Sequence, residues 1–306
     1  MKVPRLLVPL VAIALLPGAA AGGLVATGLP ADAAAAPASA PPSQPTLVDV
    51  RAAHHPGFDR VVFEFRGGLP ASHRARYVDR LVADGSGRTV PVAGRAVLQV
   101  RLGNARAHTD TGAATVPART AYALPNVMTT VRGGDFEGVV TYGLGVAKRT
   151  TFQVTTRRQP ARVVVDVRAG FRTVERKVWF LDRAHFVAGT PPYFVPRLRP
   201  VLPMTPATGL LDRLFAGVLP AERADGLRLL RSGANGFAIR SIRNGIARVQ
   251  LAGGCSSRGS TVTIAGEIMP TLRRLGTVDW VKIYDPSGHT EHPRGARDSI
   301  PACLEP

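Results

Sequence analysis

The chain has 306 residues, which is long enough for two domains of ordinary size. Its hydrophobic content of 45% and its charged content of 20% are typical of a globular chain, and they exclude wholesale disorder and a polytopic membrane protein. The net charge of +18 is spread over both halves and aromatic residues make up only 6%, so the sequence lacks the concentrated, aromatic-rich patch typical of nucleic-acid binding, and we predict no nucleic-acid partner.

The N-terminal residues have the pattern of an export signal. Lys2 and Arg5 precede an apolar stretch at 6–29, and alanine-rich segments follow. This order predicts that residues 1–36 are a signal peptide or, if uncleaved, a membrane anchor. Residues 37–45 are rich in Ala, Pro and Ser and are predicted to be an extended linker. We therefore expect an exported protein, extracellular or wall-associated, that contacts the membrane only through this segment if it is retained.

Residues 46–170 show the two-residue alternation of β-strands. Val61, Phe63 and Phe65 lie on one face of a candidate strand, and two later segments repeat the pattern. Glycine-rich turn signals, including 133–134 and 143–145, separate the candidate strands. Short strands at this spacing predict an all-β sandwich.

A family resemblance supports this prediction. Residues 55–65 (HPGFDRVVFEF) and 160–167 (PARVVVDV) resemble the AMIN-like domain of exported actinobacterial proteins. The resemblance implies a β-sandwich that localises proteins to the cell envelope, in some relatives by binding peptidoglycan, and it implies no catalysis. The candidate ligand-binding side chains in this region are His55, Asp59 and Glu137, with structural roles at strand ends and turns as the alternative.

Residues 174–306 alternate strand and helix patterns, and they are predicted to form an α/β domain separate from the first. Strands are predicted at 178–181, 246–251 and 278–284, and helices at 205–217 and 261–275. We expect the two domains to meet near residues 170–176, where strand periodicity restarts after a short charged stretch. The predicted fold class is thus a β-sandwich followed by an α/β domain.

The second region also resembles a known family. The segments 178–181 (VWFL), 205–207 (TPA) and 244–245 (NG) are similar to the GerMN domain of sporulation and spore-germination proteins. The resemblance implies an α/β domain used in envelope assembly and protein interaction, without a known active site. The sequence departs from the family pattern at 217–220 (GVLP), where the family usually has Gly followed directly by Pro.

The segments that resemble catalytic or ligand-binding motifs are incomplete. His289 and His292 lie among prolines and glycines, which favours a solvated loop over a metal site. The segment 143–148 lacks the full spacing of a phosphate-binding loop, and Ser256 and Ser257 lack the G-x-S-x-G nucleophile motif. We therefore predict no enzymatic activity, no cofactor and no metal.

Cys255 and Cys303 are the only cysteines in the chain. An exported protein with two cysteines in one domain is expected to oxidise them to a disulfide, which would hold the C-terminal tail. Two buried, unpaired thiols are the alternative.

The sequence favours an exported, non-catalytic binding or assembly protein of the cell envelope. Its expected partner is anionic cell-wall polymer or peptidoglycan, or an envelope protein. The first alternative is an exported cell-wall hydrolase or carbohydrate-active enzyme, which requires a positioned pair of carboxylates or a metal cluster. The second is a structural component of a membrane-anchored complex.

Overall fold

The computed structural model describes residues 44–306, so the predicted signal peptide or anchor and nearly all of the predicted linker lie outside the described residues. The part of the chain from residue 44 onward belongs to one compact unit. In it, no helix combines the length and the apolar character needed to cross a membrane.

The N-terminal half consists of strands in two main antiparallel sheets and one short hairpin. The strands are β1 (Thr46–His55), β2 (Phe58–Arg66), β3 (Ser72–Val78), β4 (Leu81–Val82), β5 (Thr89–Val90), β6 (Ala96–Gly103), β7 (Arg119–Ala121), β8 (Val127–Phe136), β9 (Val139–Val146), β10 (Phe152–Arg158) and β11 (Ala161–Arg168). One sheet has the order β1-β2-β11-β10, the second has the order β3-β6-β9-β8-β7, and β4 pairs with β5.

The core of this half lies between the two main sheets. Alternate residues of β2 and β11 pack against alternate residues of β6 and β9, as the period of two requires. Phe63 and Tyr142 are fully buried there, and their rings meet edge to face with centroids 5.3 Å apart. The prediction of a β-rich N-terminal domain is therefore confirmed.

Two predicted turns are wrong, because both glycine pairs lie inside strands. Gly133 and Gly134 belong to β8, and Gly143 and Gly145 belong to β9. The segment between β5 and β6 packs so closely on β9 that a Cβ atom at Gly145 would lie 2.0 Å from the Ala93 carbonyl oxygen. The glycines are therefore needed for close backbone approach within a sheet.

The C-terminal half combines strands and short helices. These are β12 (Val174–Asp182), α1 (Arg183–Ala188), β13 (Phe194–Val201), α2 (Pro206–Ala216), α3 (Pro220–Ala224), β14 (Leu227–Arg228), β15 (Gly236–Arg243), β16 (Ile246–Ala252), α4 (Ala265–Leu272) and β17 (Trp280–Tyr284). One sheet has the order β13-β12-β14 and the other has the order β15-β16-β17, with β16 and β17 parallel.

Helices α2 and α4 share one core with these sheets. Leu210, Leu214 and Ile268 are fully buried against strand residues such as Phe180 and Val281. Helix α2 begins at Pro206 as predicted, but the side chain of the preceding Thr205 makes no capping hydrogen bond. Helix α4 contains Pro270 as predicted and is shorter than the predicted span 261–275.

A buried arginine joins the two halves. Arg213 on α2 is 2% exposed, and its guanidinium donates to the carbonyl oxygens of Tyr122 (3.1 Å), Leu124 (2.6 Å) and Pro125 (3.2 Å) in the loop before β8. Burial lowers the pKa of Arg213 to about 9. Independent folding of residues 46–170 and 174–306 stays a prediction, but in the folded chain this contact crosses the boundary between them.

An ion pair lies beside this contact. Asp212 is nearly fully buried, and its Oδ2 atom lies 3.1 Å from Nε of the half-exposed Arg95. Burial raises the pKa of Asp212 to about 6, and the neighbouring Arg95 and Arg213 only partly offset that effect.

A disulfide holds the C-terminal tail. Cys255 and Cys303 are bonded, with Cα atoms 5.7 Å apart, and the backbone N–H of Ser257 donates to the Cys303 carbonyl over 2.7 Å. The next residue, Leu304, is 2% exposed and belongs to the C-terminal core. The bond therefore keeps an apolar anchor of the tail in place.

Candidate anion-binding groove

Asp59, one of the predicted ligand-binding residues, holds the two main sheets together. Its side chain is fully buried on β2. Its Oδ2 atom accepts from the backbone N–H groups of Asn126 (2.7 Å) and Val127 (2.8 Å), at the start of β8 in the other sheet. Its Oδ1 atom lies 2.7 Å from Nδ1 of His54. Since both oxygens already have partners inside the protein, this carboxylate is a structural link between the sheets.

The other two predicted residues lie on different elements, one in a strand and one in a turn. His55 ends β1, and its ring stacks on Phe58 with centroids 5.1 Å apart. Glu137 is exposed on the tight turn between β8 and β9, with a positive φ of 48°. The structure therefore does not bring His55, Asp59 and Glu137 into one site.

A groove of about 490 Å³ lies on the outer face of the five-stranded sheet, where β3, β6 and the start of β9 meet. Its polar walls come from Ser72, Arg74, Arg76, Gln99 and Arg101. The β4–β5 hairpin packs on the other part of the same face, through a small apolar cluster. The hairpin thus leaves this end of the sheet open.

Strand alternation explains why the arginines point outward. Ala75 and Tyr77 of β3 pack against the sandwich core. Their neighbours Arg74 and Arg76 therefore take the opposite, solvent face, and both are exposed. Arg101 takes the same face of β6 by the same alternation.

Two of these arginines face each other directly. Arg74 and Arg101 are register partners across the antiparallel pair β3–β6, and side chains at such positions have Cβ atoms roughly 4.5–5.5 Å apart. Like charges directly opposite each other are destabilising. Within residues 44–306, neither residue nor the adjacent Arg76 forms an ion pair with a carboxylate. A bound anion would convert this repulsion into attraction.

The remaining wall residues add neutral hydrogen-bonding groups. Arg76 Nε donates to Gln99 Oε1 of its register partner on β6 over 3.4 Å, a weak contact that runs across the two strands. A Cβ atom at Gly103 would lie 2.4 Å from Ser72 Oγ, so the glycine leaves space for that hydroxyl. Guanidinium groups and a hydroxyl are suited to the oxygen atoms of phosphate or carboxylate groups.

Sequence reasoning missed this groove. The signal was present as the alternation of Arg74 and Arg76 with Ala75 and Tyr77, which is the pattern of a half-buried strand. The juxtaposition with Arg101 depends on which strands pair and in which register, and a single sequence does not show that pairing.

Comparison with known proteins gives one assignment. Residues 45–169 match the family model of the AMIN-like domain, and this range contains the whole groove. The C-terminal half gave no match to the GerMN family. No curated protein and no solved structure matches the chain.

Proposed function

We propose that the chain is an exported binding or assembly protein of the cell envelope, without catalytic activity, whose N-terminal half binds anionic wall polymer or peptidoglycan in the arginine groove. AMIN-like domains are generally linked to binding of peptidoglycan or the envelope, and the match at residues 45–169 supports the proposal. The observation that carries it is the register pairing of Arg74 with Arg101, a like-charge contact without a carboxylate partner in the described chain.

The shape of the groove fits an extended ligand. Strand β3 is at the edge of its sheet, and the arginines of β3 are exposed. A long polymer can therefore pass along β3 and leave the groove at both ends, while its acidic groups contact successive guanidinium groups. Such contacts are electrostatic and lie at the surface, so they should weaken as salt reduces the screening length to about 8 Å at physiological ionic strength.

The proposal is tested by replacing Arg74, Arg76 and Arg101 together with Gln and measuring binding to purified cell walls, with and without their attached anionic polymers. Three lost surface charge contacts of about 0.2–1 kcal/mol each should weaken binding roughly tenfold. Binding by the unchanged protein should fall with added salt.

A matched control separates the groove from overall charge. Arg66, Arg157 and Arg158 are exposed residues of the other sheet, and their replacement by Gln removes the same charge. The control variant should bind as the unchanged protein does. Equal losses in the two variants, or no loss in the groove variant, would contradict the assignment of the groove. Turnover of wall fragments by the purified protein would contradict the non-catalytic part.

A further inference from the structure

The β15–β17 sheet has one apolar and one basic face. Ala247 and Val249 of β16, with Val281 and Ile283 of β17, point into the C-terminal core. Alternation therefore places the intervening residues of both strands on the outer face, where the segment 285–298 packs beside them. Those outer residues include Arg248, Lys282, Trp280 and Tyr284.

A second like-charge pair lies on this face. Arg248 and Lys282 are register partners across the parallel pair β16–β17. Lys282 is fully buried, and its ammonium group donates to the backbone carbonyl oxygens of His292 and Arg294, the latter over 3.2 Å. These neutral carbonyl groups stabilise the buried ammonium but carry no net negative charge, so the positive charge of Lys282 remains.

A β-bulge directs a further arginine to the same face. The register between β15 and β16 shifts between Ile239 and Ser241, which leaves Arg240 without a partner on β16. Bulges commonly redirect a side chain in this way. The Arg240 guanidinium carbon lies 4.8 Å from the ring centroid of Tyr284, and a Cβ atom at Gly288 would lie 3.5 Å from Arg240 Nη1. The ring fixes the orientation of the guanidinium before any ligand binds.

Among the described residues, no acidic group forms an ion pair with these side chains. From residue 44 onward, the ion pairs of the protein do not include Arg240, Arg248 or Lys282. Trp280 is 38% exposed on the same strand and the same face as Lys282. The complementary occupant is therefore a ligand with several negative charges in a row.

We propose that this basic face binds the phosphate groups of a linear polyanion. Phosphate is favoured because guanidinium forks pair with its oxygens in a bidentate manner, and Arg240 is already oriented for such a contact. The site lies in the half of the chain to which the comparisons assign no family, and it does not depend on the function proposed for the arginine groove.

Inorganic polyphosphate is the probe, and tryptophan fluorescence reports on the site. The chain has two tryptophans, and Trp179 is 7% exposed, so a response lost in Trp280→Phe comes from the proposed face. Polyphosphate should change the fluorescence with a saturating dependence on concentration. Replacing Arg240 and Arg248 with Gln, and retaining the buried Lys282, should weaken that affinity about fivefold.

Two controls make the result decisive. Arg183 and Arg223 are exposed residues of the same half, and their replacement by Gln removes the same charge, so this variant should keep the full affinity. The groove variant should also keep the Trp280 response, which distinguishes failure of this site from failure of the groove. The proposal is overturned if polyphosphate gives no Trp280 response, if the control variant loses as much affinity, or if anionic lipid vesicles bind at this face and polyphosphate does not.

Discussion

The contact made by Arg213 gives a sharp prediction about stability. The change is Arg213→Met, which keeps much of the length and apolar stem of the side chain but removes the guanidinium. Three carbonyl oxygens, those of Tyr122, Leu124 and Pro125, then lose their donor at a partly buried contact. A buried acceptor without a partner carries its full desolvation cost.

The expected decrease in the free energy of unfolding follows from opposing contributions. Each hydrogen bond from a charged group contributes about 1.5–3 kcal/mol, and three of them set the upper limit. Removing a buried charge recovers part of this, as the lowered pKa of Arg213 indicates. Leaving a buried neutral acceptor without its donor costs about 1–3 kcal/mol. We expect the free energy of unfolding to decrease by an amount within that range.

Urea denaturation followed by circular dichroism measures this free energy. The matched control is Arg183→Met, since Arg183 is exposed and forms no ion pair within residues 44–306, so its loss should cost less than about 0.5 kcal/mol. A loss below about 1 kcal/mol in Arg213→Met would refute the view that this side chain joins the halves.

Three further changes have defined outcomes. Because burial raises the pKa of Asp212 to about 6, the folded state binds a proton at this carboxyl group more tightly than the unfolded state does. As pH rises from about 4 to about 6, the free energy of unfolding of the unchanged protein should therefore fall by up to about 3 kcal/mol relative to Asp212→Asn, measured by urea titrations at a series of pH values. Replacing Cys255 and Cys303 with Ser should cost at most about 4 kcal/mol by loss of a cross-link spanning 48 positions, and an unchanged melting temperature would contradict this. Gly145→Ala should cost about 2 kcal/mol or more in urea titrations because its Cβ would meet the Ala93 carbonyl, whereas Gly276→Ala has open space and should cost less than about 0.5 kcal/mol.

The sequence predicted what depends on local periodicity. The alternation in Val61, Phe63 and Phe65 predicted β2 and its buried face correctly. The glycines of β9 were misread because glycine marks turns in isolation, and only the packing of the segment after β5 shows why Gly145 belongs in a strand. Close approach of distant segments leaves no periodic signal in one sequence.

The candidate sites were harder to predict for the same reason. Asp59 combines a polar side chain with a family motif, but the two backbone groups that donate to it lie more than 60 residues away, so its structural role was not visible. Arg74 and Arg101 gain their significance from strand register. Single charged residues in an arginine-rich chain carry little information until their neighbours are known.

The buried contact of Arg213 also affects how the protein would respond to ligand length. The two halves meet through hydrogen bonds to a loop of the sandwich, so the spacing between the arginine groove and the basic face is set by the fold and not by a flexible tether. A tether would let short oligomers reach both faces with gradually changing effective concentration. A fixed spacing instead sets a minimum length, below which an oligomer occupies one face and above which avidity rises abruptly.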